Sequence, residues 1–188
     1  MKKLIITLAV VAMGVAANAA SFTWTTKGRI YDGAGDSAAY ATGMTAYLMF
    51  ASTISQADLV ESFLDNAATA KATVTGGAAK SSVINSEARV AETTAFTVSV
   101  TESQTAYYVI FNGDKMYVSG TKGANYNSLA PDEVNAIEFA AETTASKATF
   151  ASTTTTYAGA GWYAVPEPTS GLLMLLGMAG LALRRRRA

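Results

Sequence analysis

A chain of 188 residues without a cysteine or a histidine has no disulfide framework, no thiolate zinc site and no imidazole general base. Its formal net charge of +0 hides unlike parts: between the two terminal segments, residues 20–165 hold eight basic and thirteen acidic side chains, a net charge of −5. A mildly acidic body is poorly suited to phosphate backbones, so no nucleic-acid partner is expected.

The first segment reads MKKLIITLAVVAMGVAANAA. Lys2 and Lys3 make a basic start, Leu4 to Val15 an apolar run, and Ala17-Asn18-Ala19 a small-x-small cleavage site. The run is shorter than the roughly 20 residues a spanning helix needs. Residues 1–19 are therefore expected to be a signal peptide, a helix handled by the Sec translocon and removed by signal peptidase at Ala17/Ala19. The mature chain would begin at Ala20 or Ser21.

The body, residues 20–165, opens with SFTWTTKGRIY, in which Phe22 and Trp24 alternate with threonines at the period of a strand. YDGAGDS is a turn. TAYLMFA is a continuous apolar run that reads as a buried strand. In ISQADLVESFLDNAATA the period changes: Ser55 and Asp58 form an S-x-x-D capping box, and Ile54 and Leu59 stand at the two positions of a hydrophobic staple. Val60, Phe63, Leu64 and Ala67 share one helical face, so a helix is predicted over about residues 56–69.

Beyond it strands dominate. TAFTVSV puts Phe96, Val98 and Val100 on one side, and AYYVIFNGDKMYVSG is a hairpin around Asn112-Gly113-Asp114. VNAIEFAA and KATFASTTTTYAGAGWYAV supply the remaining strand signals. The fold expected is all-β: a β-sandwich, jelly-roll or immunoglobulin-like, of about seven to nine strands with one short inserted helix. About 146 residues can bury a core without disulfides.

Several constellations in the body invite chemistry. Asp32-Gly33-Ala34-Gly35-Asp36 offers two carboxylates to a calcium ion, but it lacks the ligand number and distal Glu of an EF-hand loop, so a plain turn is expected and Asp32 and Asp36 are weak metal candidates. Gly33 to Ala38 fits a loose G-x-G-x-x-A pattern with no βαβ unit around it. Asp58, Glu61 and Asp65 fall on one side of the predicted helix, as a solvated face would place them. Glu133, Glu138 and Glu142 can supply the acid pair of a glycosidase only if the fold brings them together. Trp24, Tyr107, Tyr108, Tyr117, Tyr126 and Trp162 suit either a sugar-stacking platform or a core. Ser152 to Thr156 reads as an edge strand or a glycosylated stretch. No catalytic residues and no cofactor are expected.

The chain closes on VPEPTSGLLMLLGMAGLALRRRRA. Pro166 and Pro168 hold the backbone around Glu167 extended. Gly171 to Leu183 is apolar and uncharged, and as a helix it reaches about 20 Å, which flanking residues and arginine stems can lengthen toward the roughly 30 Å hydrocarbon core. Arg184, Arg185, Arg186 and Arg187 would hold this end on the cytoplasmic side. With the signal peptide removed, the body lies across the inner membrane, transiently anchored by a C-terminal transmembrane helix.

Val165-Pro166-Glu167-Pro168-Thr169-Ser170, the apolar stretch and the arginine cluster resemble the PEP-CTERM sorting domain of bacterial exported proteins. The resemblance covers residues 166–188 and the residue before them. It implies recognition by an exosortase, a transpeptidase-like membrane enzyme, removal of the tail near Pro166-Glu167-Pro168, and release or attachment of the body at the surface. Such proteins are common in bacteria that make extracellular polysaccharide, a further partner the resemblance implies. Three readings of the body follow: a structural or adhesive surface protein first, then a glycan-binding module, and last a carboxylate-dependent polysaccharide hydrolase.

Overall fold

A computed structural model of the protein describes residues 19–35, 37–100, 102–126, 133–140, 150–152 and 157–165. The expected signal helix with Ala17, Asp36, Glu142, Thr153 to Thr156, Pro166, Glu167, Pro168, the apolar C-terminal helix and Arg184 to Arg187 lie outside the described residues. Among the described residues no helix is long and apolar enough to cross a membrane.

The alternation of the first strand places it. In β1 (Ala19–Thr26), Ala20, Phe22, Trp24 and Thr26 point inward and are buried. β1 is the middle of a three-stranded sheet, antiparallel to β4 (Ala91–Ser99) and parallel to β8 (Val134–Phe139). The register slips between Phe22, opposite Phe96, and Trp24, opposite Glu92, where β4 carries extra residues.

The second sheet has seven strands. Its order is β3 (Lys80–Val83), β2 (Thr45–Phe50), β5 (Gln104–Asn112), β6 (Lys115–Val118), β10 (Gly161–Ala164) and β9 (Phe150–Ser152), with β7 (Lys122–Ala124) paired to the first half of β5. The expected hairpin is there: Asn112 pairs with Lys115 around the two-residue turn Gly113-Asp114, and Gly113 sits at φ 60, a conformation that suits glycine.

This larger sheet is covered on both faces. On one side Phe22, Trp24, Ile137 and Phe139 of the small sheet share a core with Leu48, Phe50, Tyr108, Ile110, Tyr117 and Trp162. Ring centroids meet at 5.9 Å for Phe22 and Phe50, 6.0 Å for Trp24 and Tyr108, and 5.0 Å for Tyr108 and Phe139. A polar strut also joins the sheets: Trp24 Nε1 donates to Ser82 Oγ (3.1 Å), and Ser82 donates to Glu92 Oε2 (3.1 Å). On the other side Met49, Tyr107, Val109, Met116, Val118 and Tyr163 pack with Leu59, Val60, Phe63, Ala70 and Val74 of the helices. Burial on both faces is why TAYLMF and AYYVIF read as unbroken apolar runs.

The helical region differs from expectation. Two helices stand where one was predicted over 56–69: α1 (Gln56–Asp65) and α2 (Ala67–Gly77). Ser55 caps α1 as its box predicts, accepting from the Asp58 amide at 3.1 Å. The helix breaks at Asn66 because that side chain caps a second helix, accepting from the Thr69 amide at 3.1 Å. Thr69, Thr73 and Thr75 hid α2, since β-branched residues favour strands when context is ignored. Packing of Ala70 and Val74, one turn apart, overrides that preference.

Candidate functional site

Among the described residues the acidic candidates do not converge. Asp58 is engaged at the α1 cap, where the Ser55 hydroxyl also donates to its carboxylate at 2.6 Å. Glu61 and Asp65 face a surface hollow of about 510 Å³ beside Ser62 and Leu64. Glu133 stands just before β8, and Glu138 in β8 forms an ion pair with Lys27. Asp32 builds its turn: Oδ1 accepts the Ala39 amide at 2.9 Å and its carbonyl accepts from Asn112 at 2.6 Å. Among the described residues no group of three or more acidic side chains is placed to hold a metal ion.

The aromatic candidates are core. Trp24, Trp162, Tyr107 and Tyr117 are fully buried and Tyr108 nearly so, which takes them off any exposed stacking surface; Tyr126 is half-buried. Tyr107 donates to the Ile54 carbonyl at 2.8 Å. Burial pushes its phenol well above the ordinary range, and the Asp58 charge and Tyr157 add to the effect. Burial likewise raises Tyr163, against a lowering contribution from the Ala158 amide, and raises Tyr157 beside it.

A different constellation, absent from the sequence reading, forms where two loops meet. The Ile30 amide donates to the Ala88 carbonyl at 2.8 Å, so Arg29 and Arg89 become neighbours. The loop carrying Arg89 is wound around Asn85, whose Oδ1 accepts from the Glu87 and Arg89 amides, each at 3.0 Å. Buried Ala88 completes that loop at φ 60, the one non-glycine residue with positive φ among those described. The excursion from Ile30 to Ala41 brings in Tyr40: Arg29 Nη1 donates to its hydroxyl at 2.5 Å, and the guanidinium stands 5.0 Å from its ring centre. Arg29, Tyr40, Ser86, Glu87 and Arg89 line a hollow of about 410 Å³. Arg89 Nε is buried without a hydrogen-bond partner among the described residues.

The remaining site is the end of the body. Trp162 and Tyr163 bury opposite faces of β10, Tyr163 Oη donates to the Gly159 carbonyl at 2.6 Å, and the Val165 amide donates to the Asp114 carbonyl at 3.3 Å. Pro-Glu-Pro follows at once, then the uncharged apolar stretch and four arginines. Residues 164–187 match a known sorting signal.

The chain carries a PEP-CTERM protein-sorting motif. A PEP-CTERM motif implies an exported protein, anchored in the membrane and then processed by an exosortase. Here the motif begins on Ala164, the last residue of β10, so no spacer separates the fold from it. The match reaches no further into the body. Neither the curated proteins nor the solved structures give a match to this chain.

Proposed function

We propose that this is a structural or adhesive surface protein: a β-sandwich body, exported through Sec, that an exosortase frees from its tail for display or release outside the inner membrane. The observation that carries this reading is the abutment of fold and PEP-CTERM motif at Ala164. A last strand that ends two residues before the first motif proline suits a cut that spares the folded body. The amino terminus supports the same reading. Cleavage after Ala19 would leave Ala20, buried and opposite Val98, as the first paired residue of β1.

The sandwich itself is a reading of the two facing sheets, with the helices as an outer cover. A hydrolase is the weaker reading: Glu138, one of the acids it would use, is ion-paired with Lys27.

Intact-mass analysis of the protein from membrane, surface and medium fractions tests the proposal. The expected species starts at Ala20 or Ser21, ends near Pro166–Pro168, and lies in the surface or medium fraction. A chain that keeps residues 169–188 and stays with the inner membrane would overturn it.

A further inference from the structure

β4 is an outer strand of the small sheet: it pairs with β1, and among the described residues no strand pairs its other edge. We propose that this edge pairs with the same edge of a second copy of the chain, antiparallel and centred on Thr97, so that two bodies share one continuous sheet. The inference deepens the reading of a structural surface protein and rests on it only for the place where copies meet. It is tested on purified chain, so its failure leaves export and sorting untouched, and a failure of those leaves it standing.

An outer strand presents a row of backbone N–H and C=O groups that another extended chain can match. Proteins close such edges with short strands, charge or proline. The other end strands here follow that rule. β3 has four residues and starts on Lys80, β9 has three, and β8 carries Glu138 with Glu133 just before it. β4 does not follow it. It has nine residues, and from Thr93 to Val100 there is neither a charge nor a proline. Glu92, at its start, is turned to the larger sheet, where it accepts from Ser82 at 3.1 Å and pairs with Lys80 at 3.8 Å. On a body of net charge −5, an uncharged edge is a place where two copies approach without repulsion.

The regular half of the strand sets the register. Phe96 to Ser99 follow β1 residue for residue, whereas the slip between Phe22 and Trp24 puts the extra residues at Thr93 to Ala95. A bulge bends that half away from a partner. Phe96 and Val98 pack on the core between the sheets but are only partly buried, while Thr97 and Ser99 are exposed on the opposite face. Antiparallel pairing about Thr97 sets Phe96 of each copy opposite Val98 of the other and covers the apolar surface that one copy leaves open. Centring on Val98 would instead pair Phe96 with Val100, which is already buried and lies past the end of β4. A few residues a side fall short of the roughly 20–30 of a stable interface. The contact is therefore weak between free molecules and gains strength where many copies share a surface.

Co-purification of two differently tagged full-length chains in detergent, at up to millimolar concentration, is the test. The native pair should associate. Thr97→Lys chains should bind one another about tenfold or more weakly, as should Thr97→Glu chains, because like charges then face each other across the two-fold axis. Mixing the Lys and Glu variants should restore the association. Thr97 is exposed, and thermal melting checks that both variants fold. The chain has no cysteine, so an introduced one is unique. Under mild oxidation Thr97→Cys should form a disulfide-linked dimer, while Thr93→Cys in the bulge and Glu61→Cys on α1 should not. This cross-link decides the matter should a charged variant fail to fold. A native chain that stays monomeric, with or without a foreign peptide on the edge, would overturn the proposal. So would undiminished association of folded Thr97→Lys chains, which would place the contact in the tail or on another face. A Lys–Glu mixture no better than either variant alone, or equal cross-linking from all three cysteines, would overturn it as well.

Discussion

Tyr107, Tyr157 and Tyr163 are phenols surrounded by protein rather than water, and burial disfavours their charged form. Their folded-state pKa values stand above the unfolded ones, so the stability they contribute is fully present below about pH 10 and is lost as the pH rises through the folded values. A tyrosinate absorbance titration should therefore show part of the nine tyrosines ionising late, together with unfolding. Tyr107→Phe should make the alkaline loss of stability shallower. Simultaneous ionisation of all nine near pH 10 in the folded protein would contradict this. Individual burial was only partly legible in the sequence. Phe22 and Trp24 announced themselves by alternation, whereas nothing local showed that Tyr107 and Tyr108 turn to opposite faces of a sheet covered on both sides. Asp32 was legible as a turn residue because Asp and Gly crowd around it, and its carboxylate does hold the turn.

At the scale of elements, the junction at Asn66 shows how one side chain divides a helical run. Asn66 leaves helical geometry (φ −150, ψ 96), its amide donates to the Ser62 carbonyl to end α1, and its carboxamide starts α2. Asn66→Ala should lower stability by about 1 kcal/mol, the usual worth of such a cap, read by urea denaturation with an unchanged slope. A gain in stability would mean that the two helices prefer to join. The capping box and the apolar face of α1 were legible because both are local patterns. α2 was not, because its sequence is ambiguous and its stability comes from Ala70 and Val74 docking on the sheet. The hairpin at Gly113 was legible for the opposite reason: two neighbouring strands and their turn need no distant information.

At the scale of the whole molecule, β10 links the two cores. Trp162 enters the core between the sheets and Tyr163 the core beneath the helices, so removing this one strand opens both. A chain ending at Val165 should melt like the mature body. One ending at Ala160 should lose its cooperative transition, because each deleted ring is worth about 3–5 kcal/mol in a packed core. Equal melting of the two chains, followed by circular dichroism, would show that β10 is dispensable. Export and sorting could be read from residue order alone, because membranes and their enzymes meet those segments as linear chain: charge, length, apolarity and two prolines are local properties. The β character and most strands were likewise written in local periodicity. Only the tertiary structure decided that the aromatics are core, that the acids among the described residues stand apart, and that Arg29, Tyr40 and Arg89 share one hollow. The physical reason is distance along the chain: a hydrogen bond between Ile30 and Ala88 unites side chains that no local pattern connects.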